Sequence, residues 1–192
     1  MTKKHNQSCK DCKKSIYNLL CMIYGEDKVE VNYDINLPSN IQDLKHTNVF
    51  NDLDKIYQAL QQHRGHFDFV KVKKLPRVDF CIPDEKLIIE FDESQHFTKP
   101  REIALGLYPQ NIPLGFSVKK WRDLCGSLDK HDKDPIYRDE QRAWYDTLRD
   151  FAPLVWGEGK TIRLYASDLV WCSLDPKNPS DLDQFTKILL NH

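Results

Sequence analysis

Apolar side chains recur at helical spacing from residue 14 onward. Ile16, Leu19, Leu20, Ile23 and Tyr24 share one face, which predicts a helix over 14–24 ended by Gly25. The period then changes. Val29, Val31, Tyr33 and Ile35 alternate, predicting a strand within 27–37 closed by Pro38. Helical spacing returns with Leu53, Ile56, Tyr57 and Leu60, so a second helix is expected over 51–63, with Gly65 beyond it. Three strand signals follow in quick succession: 67–73, 77–82 and 86–92. The last two are separated by the turn composition Pro83-Asp84-Glu85. Such close spacing suggests antiparallel hairpins.

Residues 98–136 lose periodicity and collect prolines, glycines and charges. They read as an insertion holding one short helix near 118–124. Gln141, Trp144, Tyr145, Leu148 and Phe151 then mark a long helix over 137–151, and 161–166 reads as a strand. A last helix starts near Pro179, with Ser180 as its expected N-cap and Leu182, Phe185, Ile188 and Leu189 as its apolar face. The order predicts an α/β fold, a mixed central β-sheet flanked by helices. Residues 1–26 form an N-terminal segment and helix, and 27–192 the α/β domain with its insertion at about 98–136.

Composition narrows this picture only a little. The 192 residues suffice for one domain with a real core. Net charge is −1, so any phosphate-binding surface must be local rather than a property of the whole chain. No apolar run approaches the roughly 20 residues of a membrane span, and the first residues lack a signal peptide's apolar segment. A cytoplasmic location without a membrane partner is therefore expected. Of six cysteines, only Cys9 and Cys12 have metal-ligand spacing. A Zn²⁺ site there would need His5, Cys21 or a distant cysteine to complete it; ordinary reduced thiols are the alternative.

The chemistry concentrates in Val78-Asp79-Phe80 and in Ile88 to His96. Alternation along a strand puts Glu90 and Asp92 on one face and Ile89 and Phe91 on the other. Asp79, one hairpin earlier, can lie beside Glu90 across the ladder. Carboxylates are poor strand formers and costly to bury together, so this pattern calls for a positive partner. Hard oxygen ligands suit Mg²⁺ or Mn²⁺. The competing reading is a solvated acidic face paired with Lys71, Lys73 or Arg77.

Asp79, ten intervening residues and then Glu90-x-Asp92 resemble the metal-binding motif of the PD-(D/E)xK restriction-endonuclease-like superfamily. The continuation Glu90-Phe-Asp-Glu-Ser-Gln-His-Phe97 resembles the very-short-patch-repair endonuclease-like subgroup. Asp139 and Arg142 on the late helix and Ile162-Arg163-Leu164-Tyr165 on the last strand keep that order. The resemblance covers 67–100 and 137–168, roughly half the chain. It implies a restriction-endonuclease-like core and a metal-dependent nuclease, hydrolysing phosphodiesters of DNA with a metal-activated water. Asp79, Glu90 and Asp92 would hold Mg²⁺ or Mn²⁺, Gln95 would orient the phosphate, and His96 would activate water or protonate the leaving group. Two positions depart from the pattern. Asp92 stands where the superfamily has lysine, a change the subgroup shares, and Glu93 stands where the subgroup has glycine.

Candidate nucleic-acid contacts are Lys71 and Lys73, on one face of the 67–73 segment, and Arg138 and Arg142, four apart on a helix. The arginines suit a phosphate clamp or ion pairs to Glu140 and Asp146. Lys119, Lys120, Trp121 and Arg122 suit bases stacked on an aromatic, unless Trp121 is core. Two other functions stay open: a non-catalytic nucleic-acid-binding protein that keeps the fold, and a zinc-bearing interaction module.

Overall fold

The computed structural model describes residues 10–190. In chain order these form α1 (Lys10–Tyr24), β1 (Glu30–Tyr33), α2 (Phe50–Arg64), β2 (Val78–Ile82), β3 (Leu87–Asp92), α3 (Lys99–Gly106), α4 (Val118–Leu128), α5 (Arg138–Val155), β4 (Lys160–Tyr165) and α6 (Pro179–Leu190). The sheet order is β1-β2-β3-β4. The first three strands are antiparallel, and β4 returns parallel to β3 after α3, α4 and α5. The expected mixed sheet flanked by helices is present.

One sheet face packs on α2 and α5 through Leu53, Ile56, Leu60, Ile88, Trp144, Leu148 and Phe151. The other packs on α1 and α6 through Ile16, Leu19, Leu20, Phe80, Ile89, Phe91, Ile162, Leu164 and Phe185. Helix α1, which the sequence set apart with residues 1–26, is therefore built into the same core as the sheet. Every residue of β3 is buried, as expected of a central strand covered on both faces.

Helix α5 is buried almost all round and is tied to β4 at its C-terminal end. Pro153 has no N–H to offer the Arg149 carbonyl one turn back. The Thr161 hydroxyl on β4 donates to that carbonyl at 2.8 Å instead. The outer edge of β4 is covered by Gly115, whose N–H donates to the Thr161 carbonyl. A Cβ at residue 115 would lie 2.5 Å from Ile162 Cγ1, so this close approach requires glycine.

Three expectations need correction. Residues 67–73 are not a strand: the Phe69 carbonyl accepts from the Gln141 side chain and the Lys71 N–H donates to Tyr145 Oη, so side chains replace a ladder partner. The 98–136 segment holds two helices, since Thr98 caps α3 by accepting from the Arg101 N–H and Pro100 opens it. The last helix is capped by Asn178, which accepts from the Ser180 N–H, because α6 begins at Pro179. Of the two readings open for Trp121, the core one holds: it packs with Phe97 and Phe116.

Candidate active site at the splayed end of two strands

The ladder between β2 and β3 pairs Ile82 with Leu87, Cys81 with Ile88 and Phe80 with Ile89, and stops there. On its other side β3 stays paired with β4 as far as Asp92 and Tyr165. β2 thus leaves β3 at Asp79, and side chains bridge the opening. The Asp79 N–H donates to Glu90 Oε1 at 3.0 Å, and the Phe91 N–H donates to Asp79 Oδ2 at 3.0 Å. Each carboxylate uses one oxygen to satisfy backbone that the lost ladder left exposed.

The second oxygens face cations. Lys13 Nζ on α1 lies 2.5 Å from Asp79 Oδ1. Arg149 Nε on α5 lies 3.4 Å from Glu90 Oε2, outside hydrogen-bond geometry, and this buried nitrogen has no hydrogen-bond partner among the described residues. The other Arg149 nitrogens are held by Asp146 Oδ1 and by the carbonyls of Pro76 and Arg77. Burial, with the Asp79 charge added, pushes the Glu90 carboxyl up to about 7 against the pull of Arg149. Glu90 side-chain exposure is 6% and that of Asp79 is 21%, so the pair opens to solvent on the Asp79 side.

Asp92 shares the Glu90 face as alternation required, but it is turned inward. Its Oδ1 accepts from Arg163 at 2.7 Å and its Oδ2 from the Trp121 indole N–H at 2.7 Å. Arg163 also donates to Asp150 Oδ1 and to the Asp146 carbonyl. Asp150 Oδ2 accepts in turn from Arg101 and from the Tyr108 hydroxyl. This is a closed, buried network. A solvated acidic face paired with Lys71, Lys73 or Arg77 is not what forms: Glu90 and Asp92 are buried, and the cations are Lys13, Arg149 and Arg163.

His96 lies just past β3 with Nδ1 2.9 Å from Asp146 Oδ2 and 3.6 Å from Asp92 Oδ1. Burial alone would lower its pKa; Asp146 and then Asp92 outweigh that and raise it. Burial would raise the Asp146 pKa, but the His96 and Arg163 charges hold it well below the usual carboxylate range. An ionised Asp146 only accepts, so His96 Nδ1 carries the hydrogen. The Nε2 edge has no protein partner among the described residues.

The remaining sequence candidates lie apart from this pair. The Gln95 amide donates to Glu93, and the Gln95 carbonyl accepts from Arg142, which also pairs with Asp132. Arg138 donates to Gln141. Neither arginine reaches Glu140 or Asp146; Glu140 pairs with Arg64. Lys71 pairs with Asp68 and sits over the Tyr137 ring, and Lys73 is exposed. Cys9 and His5 lie outside the described residues; Cys12 is buried at the start of α1.

Sequence reasoning missed Lys13 and Arg149, and weighed Asp146 only as an ion-pair partner of Arg138 or Arg142. Asp146, Arg149 and Asp150 stand three and four apart on α5, a spacing that marks one helix face and resembles an ordinary solvated stripe. Only burial distinguishes the two.

No protein-family model, no curated protein and no solved structure matches this chain. No helix among the described residues is long and apolar enough to cross a membrane. Among the same residues, no group of three or more His, Cys, Asp or Glu side chains is placed to hold a metal ion.

Proposed function

We propose that this protein is a divalent-metal-dependent phosphodiester hydrolase, an endonuclease acting on DNA, with a restriction-endonuclease-like core. The observation that carries the reading is the Asp79–Glu90 pair at the splayed end of β2 and β3. Two carboxylates fit Mg²⁺ or Mn²⁺, because Mg²⁺ is commonly held by one or two protein carboxylates with water and substrate phosphates completing its shell. The buried Arg149 Nε without a partner, and a Glu90 carboxyl raised to about 7, mark the pair as incompletely compensated. Asp92 does not belong to the ligand set, because it is sealed from solvent with both oxygens held by buried partners, Arg163 and Trp121, whereas Asp79 is part-exposed and its Oδ1 partner is the part-exposed Lys13.

When bound, the ion would supply Lewis acidity, lowering the pKa of water and offsetting phosphoryl charge. Hydrolysis forms one bond from a water oxygen to phosphorus and breaks one ester P–O bond. Water loses a proton and the leaving alkoxide gains one. His96 suits the second transfer: Asp146 holds the Nδ1 edge, Asp146 and Asp92 raise its pKa and so favour the protonated ring, and Nε2 is the edge left to donate. Of the candidate phosphate contacts, Lys73 is exposed, and Lys71 is held only at the surface.

The test is calorimetric titration of Mg²⁺ and Mn²⁺ into wild type and Asp79→Ala, repeated with a non-cleavable DNA duplex present, followed by nicking of supercoiled plasmid. Metal binding and nicking that both disappear in Asp79→Ala are expected. Absence of binding by wild type under both conditions would overturn the reading. It would favour a non-catalytic nucleic-acid-binding protein, a reading supported by Lys13 and Arg149, which already face the two acids.

A further inference from the structure

The position where the superfamily pattern has a lysine is Asp92, and Asp92 is sealed in the interior with Arg163 and Trp121. The acid pair therefore has no cation supplied by its own strand. Three cationic side chains approach the site from elsewhere. The terminal nitrogens of Arg149 are held by Asp146 and two backbone carbonyls, and its Nε points at Glu90. His96 is held by Asp146. Lys13 has a single partner among the described residues, Asp79 Oδ1 at 2.5 Å. An ammonium has three donors, so two are left over.

We propose that Lys13 is a catalytic residue of this site, contacting a non-bridging oxygen of the scissile phosphate and stabilising the charge that develops there. Its placement is set by the core. Cys12, Ile16, Leu19 and Leu20 lock α1 onto the sheet, and Lys13 stands at the rim of that apolar face, beside the opening between β2 and β3. Its side chain is 43% exposed while its amine rests on Asp79, so it lies at the mouth of the site, where a phosphate would enter. An ammonium held next to the developing oxyanion lowers the barrier without reorganising during the reaction. α1 thereby becomes part of the active site as well as of the core.

This inference rests on the nuclease reading, and the experiment separates the two. Wild type, Asp79→Ala, Lys13→Met and Lys13→Arg are compared for plasmid nicking with Mg²⁺ or Mn²⁺, and for binding of a fluorescent DNA duplex in Ca²⁺ across a salt series. Lys13→Met is expected to lower turnover about 10²–10³-fold, well beyond the modest loss of duplex affinity that one missing phosphate contact brings, and Lys13→Arg to restore part of it. The salt dependence of duplex binding should fall by about one ion in Lys13→Met, as for loss of one phosphate contact. Wild-type turnover in Lys13→Met, or an unchanged salt slope, with Asp79→Ala inactive, would make Lys13 only the counter-ion of Asp79. That result would overturn the inference and leave the nuclease reading standing. If Asp79→Ala is as active as wild type, or neither cleaves, the nuclease reading fails and the role of Lys13 falls with it. Thermal melting of each variant separates lost chemistry from lost fold, and Lys13→Arg keeps the comparison if Lys13→Met unfolds.

Discussion

Glu90 and Asp92 are two residues apart on one strand, face the same way, and end in opposite situations. Asp92 has both oxygens occupied by Arg163 and Trp121, inside a network that Asp150, Arg101 and Tyr108 close. Glu90 has one oxygen bonded to backbone, and the other faces an arginine nitrogen that makes no hydrogen bond. Burial of a carboxylate is therefore not by itself a sign of function. Completeness of its partners separates an architectural charge from one with capacity left for a ligand.

The largest effects should come from breaking the closed network. Arg163→Met leaves Asp92, Asp146 and Asp150 buried around a missing cation, and removing one partner of a buried pair costs about 3–5 kcal/mol. Chemical denaturation should show a loss of that size. Asp79→Ala, which loses the hydrogen bonds from the Phe91 N–H and from Lys13 at a part-exposed site, should cost about 1–2 kcal/mol while ending metal-dependent cleavage. Equal losses from the two variants would erase the distinction between the regions.

Glu90→Gln sharpens the comparison through pH. An acid whose folded pKa lies above its unfolded value contributes stability that is complete below the unfolded value and lost as pH rises through the folded one. For Glu90 that window runs from 4.5 to about 7. At roughly 1.4 kcal/mol per pKa unit, wild type should lose about 3 kcal/mol relative to Glu90→Gln between those limits. Urea denaturation at several pH values measures it. Adding Mg²⁺ above pH 7 should stabilise wild type and leave Glu90→Gln unchanged. A parallel pH response of the two proteins would mean that Arg149 already compensates Glu90 fully.

How far the sequence foresaw these regions depends on the range of the interaction. The opposed faces of β3 were legible because strand period is local: Ile89 and Phe91 reach α1 and α6, and Glu90 and Asp92 the other side. The 67–73 segment was misread because alternation does not show whether a ladder partner exists; Gln141 and Tyr145, more than 70 residues away, take its backbone groups instead. Helix α3 was hidden by Pro100, which opens a helix when Thr98 caps it. The partners of the acids were the least legible. Lys13 meets Asp79 across 66 positions and Arg163 meets Asp92 across 71, and no spacing rule joins them.

A smaller effect tests the sealing of Asp92. Trp121→Phe keeps an aromatic ring beside Phe97 and Phe116 and removes the indole N–H that Asp92 accepts from, together with part of the buried ring. A hydrogen bond to a charged group is worth about 1.5–3 kcal/mol, and Arg163 remains to hold Asp92, so the lower end is expected in denaturation. Cleavage by Trp121→Phe should stay close to wild type, because Asp92 acts on the fold. A large loss of turnover at unchanged stability would return Asp92 to the reacting group.

The smallest effect is expected at His96, whose ring keeps access to water, and its value lies in the sign. The folded pKa is raised above 6.5, because Asp146 and Asp92 outweigh the burial that would lower it. The proton on His96 thus stabilises the fold fully below about pH 6.5, and that contribution fades as pH rises through the raised value. His96→Gln should cost on the order of 1 kcal/mol at acidic pH and less above neutrality. The rate carries the same sign. A proton donor to the leaving alkoxide loses activity as pH rises through its pKa, so wild-type nicking should fall on that limb and His96→Gln should be slower and flat. A wild-type rate that climbs through the same range would assign His96 to activation of water, with Asp146 holding a base.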